Sequence, residues 1–168
     1  MKILVLGIGQ SLRGDDGAGI AAVQYWQDAY PDTAALVRLE LAEVPGLDVL
    51  ERLTGMDAAI LVDALQTGAP PGSLFSLEPR DLAAFGLDSG TAHGWGVAET
   101  LQLGLALQPA LQSCWITLIG ISGQDFQLGT DLSPALRGAV AHAAERIQQL
   151  VAGLLETGQD APSGKAGE

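Results

Sequence analysis

The clearest indication of the fold lies in residues 3–19, ILVLGIGQSLRGDDGAG. This stretch begins with Ile3 to Leu6, a β-branched and leucine-rich run that ends at Gly7 and Gly9, which is the pattern of a strand buried on both faces of a parallel sheet. Beyond this turn, apolar residues recur at close to helical spacing and predict a helix from about Asp15 to Ala29. A strand, a glycine-rich turn and a helix make the first unit of a layered α/β protein.

The same alternation continues along the rest of the chain. We expect a three-layer α/β/α sandwich around a mostly parallel, twisted sheet of about five strands, with right-handed crossovers. In such sheets, binding sites lie outside the carboxyl ends of the strands. The other expected strands are 35–41, 58–62, an edge strand 73–77 and the run CWITLIGI from Cys114; the other expected helices are 47–53, one through Val97, Leu101 and Leu105, and a last one that starts at Ser133, as a hydroxyl cap, and Pro134.

Length and composition indicate one globular domain. The chain has 168 residues, of which 48% are hydrophobic and 17% charged, enough to bury one substantial core. We assign the domain to residues 1–156. The last twelve residues, TGQDAPSGKAGE at 157–168, hold no large apolar side chain and are expected to form a disordered tail.

The charge balance excludes two classes of partner. Eight Lys and Arg against 20 Asp and Glu give a formal charge of −12, and no basic run interrupts it, so nucleic acid and anionic membrane surfaces are poor partners. Ile3 to Leu6 is too short to span a bilayer and lacks the flanks of a signal peptide. We expect a cytoplasmic monomer.

The opening turn resembles a dinucleotide-binding turn but lacks two of its requirements. Leu12 stands where G-x-G-x-x-G has its third glycine, and Asp15 and Asp16 place carboxylates where a phosphate would bind. We therefore expect a different chemistry. Asp15 is interpreted as a helix-start cap, and Asp16, just beyond the carboxyl end of a strand, as the stronger candidate ligand.

Two further residues are candidates for the same site. Asp63 follows the apolar run AAILV, so its carboxylate stands where a buried strand surfaces and needs a partner. His93 lies in SGTAHGWG, where glycines leave the imidazole accessible. Two carboxylates and one imidazole suit nickel, zinc, manganese or cobalt. By contrast, Cys114 is expected to be a buried, inert thiol, and His142 to have a structural or solvent-facing role.

At these residues the sequence resembles the hydrogenase maturation proteases, which process the large subunit of [NiFe] hydrogenases. Three pieces carry the resemblance over about residues 2–155: ILVLGIGQSLRGDDGAG, ILVDAL around Asp63, and the histidine of TAHGWG. Two departures are Gln10, where an asparagine is usual, and LAEVPG at 41–46, which replaces a Gly-Gly-Thr-like stretch and leaves the choice of partner open.

The resemblance implies an activity and a set of metal ligands. The activity is removal of a C-terminal extension from the large-subunit precursor after nickel insertion. Asp16, Asp63 and His93 correspond to the metal-binding residues, and Asp15 belongs to the motif without being a ligand.

The sequence leaves two versions of the mechanism open. No Ser-His-Asp order, G-x-S-x-G elbow or H-E-x-x-H helix is present. An ion held by the enzyme could activate a water, with Asp15 taking the proton. Alternatively, and in the version we favour, the nickel belongs to the substrate and the site tests whether it has been loaded. A metal-dependent small-molecule hydrolase and a nucleotide-binding module are the alternatives outside this family.

Overall fold

The computed structural model describes residues 1–43, 46–78, 81 and 96–159. Within these ranges the strands form one sheet, and helices lie between most successive strands along the chain and pack on the sheet. The strands are β1 Ile3–Ile8, β2 Arg38–Ala42, β3 Ala58–Gln66, β4 Leu74–Leu77 and β5 Trp115–Gly123; the α-helices are α1 Ala18–Ala29, α2 Pro31–Ala34, α3 Asp48–Leu53, α4 Val97–Leu107 and α5 Pro134–Gln159; 3₁₀ turns span Gly14–Gly17 and Pro109–Ser113.

The sheet confirms the expected architecture. Its five strands lie in the order β2-β1-β3-β5-β4, with β2, β1, β3 and β5 parallel and β4 antiparallel to β5 at the edge. The chain turns to one side of β1 to form β2 and to the other side to form β3. The strand order therefore reverses between β1 and β3, and in open α/β sheets a crevice forms at the carboxyl ends of such a pair.

Helices cover both faces of the sheet because the central strands are apolar on both sides. Along β1, Leu4 and Leu6 pack with residues of α3 and α4, such as Leu53 and Leu101, on one face. Val5 points to the opposite face, where α1 and α5 complete the second core. This is the three-layer arrangement that the continuous apolar runs predict.

Some boundaries differ from those expected. The segment predicted as the first turn of α1 is the 3₁₀ turn Gly14–Gly17. Strand β3 does not end before Asp63 but continues to Gln66, because β5 pairs with it over that whole length. Helix α5 starts at Pro134 as expected and includes residues 157–159 of the predicted tail; residues 160–168 lie outside the described ranges.

No helix in the described part of the chain is long and apolar enough to cross a membrane.

Glycine is required where the chain leaves β1. Gly9 has a φ of +138°, which side-chain-bearing residues rarely adopt. A Cβ at this position would overlap the backbone carbonyl group of Asp16. The turn can therefore fold back against the 3₁₀ turn only because residue 9 has no side chain.

We predict that Gly9→Ala lowers the free energy of unfolding by about 3 kcal/mol or more, because the clash is with backbone and cannot be relieved by a rotamer change. Gly55→Ala is the matched control: Gly55 also has a positive φ, +75°, but an added Cβ there would meet no atom of the described chain within 4 Å. The control should lose about 1 kcal/mol. Urea denaturation of both variants measures the difference, and equal losses would contradict the close approach.

Candidate functional site

The candidate site lies in the crevice between the carboxyl ends of β1 and β3. The pairing of these two strands ends at Gly7 with Val62, whereas β3 continues beside β5 through Gln66. Asp63 is therefore the first residue of β3 beyond its pairing with β1. Its backbone pairs on the other side with Gly120 of β5. The departure of β1 leaves this position next to the turn that carries Asp16.

Asp16 is held against the end of β1 by its own loop. Its Oδ2 accepts a hydrogen bond of 2.9 Å from the backbone N–H of Gln10, and its N–H donates to the carbonyl of Arg13. The side chain is half-buried. Because the N–H of Gln10 already serves a carboxylate of the protein, the turn does not offer it to a phosphate, which agrees with the rejection of a dinucleotide site.

Asp63 and Asp16 are electrostatically coupled. Asp63 is only 7% exposed. Burial, and then the negative charge of Asp16, raise the pKa of Asp63 well above its usual value, while the backbone N–H of Ala64 lowers it in part. Two carboxylates that share a poorly solvated site cannot both stay ionised without a compensating charge.

The coupled carboxylates have no cationic partner in the part of the chain that the structure describes. The ion pairs there join Arg38 and Arg52 to Glu40 and Asp48, at the β2–α3 surface. A proton or a bound cation would balance the Asp16–Asp63 pair. Carboxylate oxygens suit hard and borderline divalent ions, so the donor set fits the metal-binding role expected for both residues.

Asp15 is fully buried and serves the backbone of a distant loop. Its Oδ2 accepts hydrogen bonds from the N–H groups of Gln124, at 2.8 Å, and Asp125, at 3.1 Å. Its Oδ1 accepts one from the N–H of Ser133, at 2.7 Å. Burial alone would raise the pKa of Asp15, but these backbone hydrogen bonds outweigh it and hold the pKa below the usual value.

Two loops are joined around Asp15, and we name them the first loop (residues 9–17) and the last loop (residues 124–133). Backbone hydrogen bonds also join them: Gly14 N–H to the Thr130 carbonyl, Asp15 N–H to the Asp125 carbonyl, and Gly129 N–H to the Leu12 carbonyl. The last loop therefore supports the turn that presents Asp16.

The expected cap roles of Asp15 and Ser133 are wrong. The helix that follows Asp15 has no side-chain cap, because both oxygens of Asp15 accept N–H groups at the other end of the chain. Within the described ranges the hydroxyl of Ser133 caps no helical N–H group, and it is the N–H of this residue that is bound. The proton-accepting role expected for Asp15 is also disfavoured, because its oxygens are occupied and its pKa is lowered.

The remaining sequence-predicted residues divide into three cases. His93 lies outside the described residues, so its convergence with Asp16 and Asp63 stays a prediction. Cys114 is buried, as expected, and burial raises the pKa of its thiol. It directly precedes β5 and so lies at the edge opposite to the crevice. His142 is exposed on α5.

One neighbour of the site was not predicted. Glu43 follows β2, and its Oε1 accepts a hydrogen bond of 3.2 Å from the hydroxyl of Ser11 in the first loop. The parallel register of β1 and β2, which aligns Ile8 with Ala42, brings these two residues together. A sequence signal was available, since Glu43 lies two residues after the predicted strand 35–41, but its partner depends on the strand order.

Comparison with known proteins identifies relatives over most of the chain. A family model described as hydrogenase maturation protease matches residues 44–150. The hydrogenase expression/formation protein HupD of Rhodobacter capsulatus is 33% identical over 155 residues, which cover 89% of this chain and 71% of the relative. The hydrogenase 2 maturation protease of Escherichia coli K12 is 26% identical over 164 residues, covering 96% and 95%.

A solved structure agrees in fold. The [NiFe] hydrogenase maturation protease HybD from Thermococcus kodakarensis superposes with a TM-score of 0.66 at 25% sequence identity, and the match covers 90% of this chain and 99% of that one.

We predict that the metal-free variants Asp63→Asn and Asp15→Asn change stability in opposite directions at neutral pH. A raised folded-state pKa means that ionised Asp63 opposes folding above that pKa, so Asp63→Asn should gain on the order of 1 kcal/mol. Asp15→Asn should lose roughly 1–3 kcal/mol, because an amide cannot accept all three N–H groups.

The pH dependence separates the two effects further. Ionised Asp15 stabilises the fold fully at pH values above its pKa in the unfolded chain. This stabilisation is lost as the pH falls through the lowered pKa of Asp15 in the folded protein. The advantage of Asp63→Asn should shrink as the pH falls toward the ordinary value of 3.8. Thermal melts at pH values from about 3 to about 8, in steps of roughly one pH unit, measure both. A loss of stability in Asp63→Asn at neutral pH would contradict the burial of an uncompensated carboxylate.

Proposed function

The chain belongs to the hydrogenase maturation protease family, and on this basis we propose that it removes the C-terminal extension of a [NiFe] hydrogenase large-subunit precursor after nickel has been inserted. In this proposal Asp16, Asp63 and His93 complete the coordination of the nickel that the precursor carries. The nickel is then part of the substrate, and no resident cofactor is needed.

The observation that carries the proposal is the coupled carboxylate pair at the switch point of the sheet. Asp63 is buried beside Asp16, and no described cationic side chain balances their charge. Such a pair is unfavourable in the empty protein and favourable next to a divalent ion. Such a site should bind a substrate that carries a cation much more tightly than one that does not.

The state of Asp15 bears on the origin of the metal. If the protease held its own ion to activate water, a free carboxylate would have to take the proton. Asp15 is the candidate for this role, but its oxygens already accept three backbone N–H groups. This favours recognition of substrate nickel over a resident metal, and it assigns Asp15 to positioning of the first loop.

Different parts of the chain position the proposed nickel ligands. The first loop, fixed by Gly9 and Asp15, orients Asp16 toward the crevice, and the extension of β3 beyond β1 presents Asp63 there. A divalent ion at this position would polarise a neighbouring peptide carbonyl and favour attack by water on it. His93 would add a nitrogen donor, which suits nickel.

The location and assembly state belong to the same proposal. The acidic composition, with a formal charge of −12, is consistent with a protein partner in solution more than with a nucleic acid or anionic lipid surface. We propose that the protein acts in the cytoplasm as a monomer. The small-molecule hydrolase and the nucleotide-binding module lose their support, because the chain belongs to a family of hydrogenase maturation proteases.

We predict that cleavage depends on nickel in the precursor and not on metal in the protease. The protease is stripped with a chelator, the chelator is removed, and the protein is mixed with nickel-loaded or nickel-free precursor in metal-free buffer. Only the loaded precursor should be cut, and inhibitors of serine and cysteine proteases should have no effect. If the stripped protease cuts neither precursor until zinc or manganese is returned, the metal belongs to the enzyme and this account is wrong.

We predict that Asp16→Asn, Asp63→Asn and His93→Ala each slow processing by about a hundredfold or more, because each removes a donor to the nickel. His142→Ala and Cys114→Ser are the controls, since the first is exposed and the second lies at the opposite edge of the sheet. Both should process at the wild-type rate, measured by the shift of the large subunit on a denaturing gel. Full processing by all three site variants would show that these residues do not form the active site.

A further inference from the structure

Two of the most exposed large apolar side chains lie on the loops that flank the candidate site. Leu12 in the first loop is 73% exposed, and Leu128 in the last loop is 77% exposed. A backbone hydrogen bond of 2.8 Å, from the N–H of Gly129 to the carbonyl of Leu12, brings these positions together. We name them the leucine pair.

The exposure of the leucine pair is not a consequence of a loose backbone. Buried Asp15 fixes both loops through hydrogen bonds from Gln124, Asp125 and Ser133. Single exposed leucines are ordinary on protein surfaces. Two on adjacent loops that are joined by hydrogen bonds are held in place by the backbone, so a partner that covers them costs little backbone conformational entropy.

The leucine pair adjoins the residues that must meet the substrate. Leu12 lies between Gln10 and Asp16, which are themselves joined by a hydrogen bond. A precursor chain that brings its scissile bond to Asp16 therefore lies close to the first loop, which also carries Leu12. Since the protease carries a formal charge of −12, apolar contact also provides attraction that does not depend on a basic partner.

We propose that the leucine pair is a docking surface for an apolar patch of the large-subunit precursor next to its C-terminal extension. This inference rests on the proposed function and adds a substrate-binding surface to it. A second copy of the chain is a poorer occupant, because a subunit seated on Leu12 would also lie over the loop that carries Asp16 and would obstruct the precursor.

The test uses leucines of matched exposure. Leu12→Ser and Leu128→Ser are compared with Leu36→Ser and Leu107→Ser, whose side chains are 66% and 69% exposed. Leu36 precedes β2, and Leu107 precedes the 3₁₀ turn that leads into β5, so both controls lie toward the opposite edge of the sheet. Cleavage of nickel-loaded precursor is measured at several precursor concentrations, together with light scattering of the protease alone.

Each substitution in the leucine pair should raise KM by about tenfold, and the double variant by up to about a hundredfold, with kcat unchanged. The controls should keep the wild-type KM, and all variants should melt within about two degrees of the wild type.

Three results would overturn the proposal: a wild-type KM in the double variant, a fall in kcat without a change in KM, or a wild-type dimer that the double variant dissociates. Failure of the wild type to bind or cut the loaded precursor would instead refute the proposed function itself.

Discussion

The structure of the site depends on one buried carboxylate, that of Asp15. It accepts hydrogen bonds from three backbone N–H groups, those of Gln124, Asp125 and Ser133, and so ties the beginning of the chain to the loop before its last helix. A carboxylate with this many N–H donors stays ionised in a buried position. The first loop is thereby fixed over the crevice between β1 and β3.

The two adjacent aspartates of the opening motif have different tasks because their surroundings differ. Asp15 is compensated by backbone dipoles and stabilises the fold. Asp16 accepts the N–H of Gln10 and faces Asp63, whose pKa it helps to raise. The Asp16–Asp63 pair is locally unfavourable. The loop that carries it is held in place by the favourable buried carboxylate of Asp15, one residue before Asp16. A strained site of this kind is typical where binding supplies the missing charge.

The sequence predicts the layers of this fold well because buried strands and amphipathic helices leave local patterns. It also predicts that Asp16 and Asp63 each follow a different strand, although β3 in fact continues past Asp63 to Gln66. The partners of Asp15 were not predictable, since Gln124 is 109 residues away and is met only after the strand order is known. The length of β3 likewise depends on its pairing with β5. The contact of Ser11 with Glu43 depends on β2 lying next to β1 in the sheet.

Asp16 and Asp63 form one coupled carboxylate pair, which no cationic side chain of the described residues compensates, whereas Asp15 is stably ionised. A carboxyl-carbon NMR titration of the metal-free protein, in the wild type and in Asp16→Asn, tests this arrangement of charges most directly. In the wild type, Asp63 should titrate above the ordinary value of 3.8 and Asp15 below it, and Asp16→Asn should lower the pKa of Asp63. An Asp63 that titrates at the ordinary value in both proteins would contradict the account.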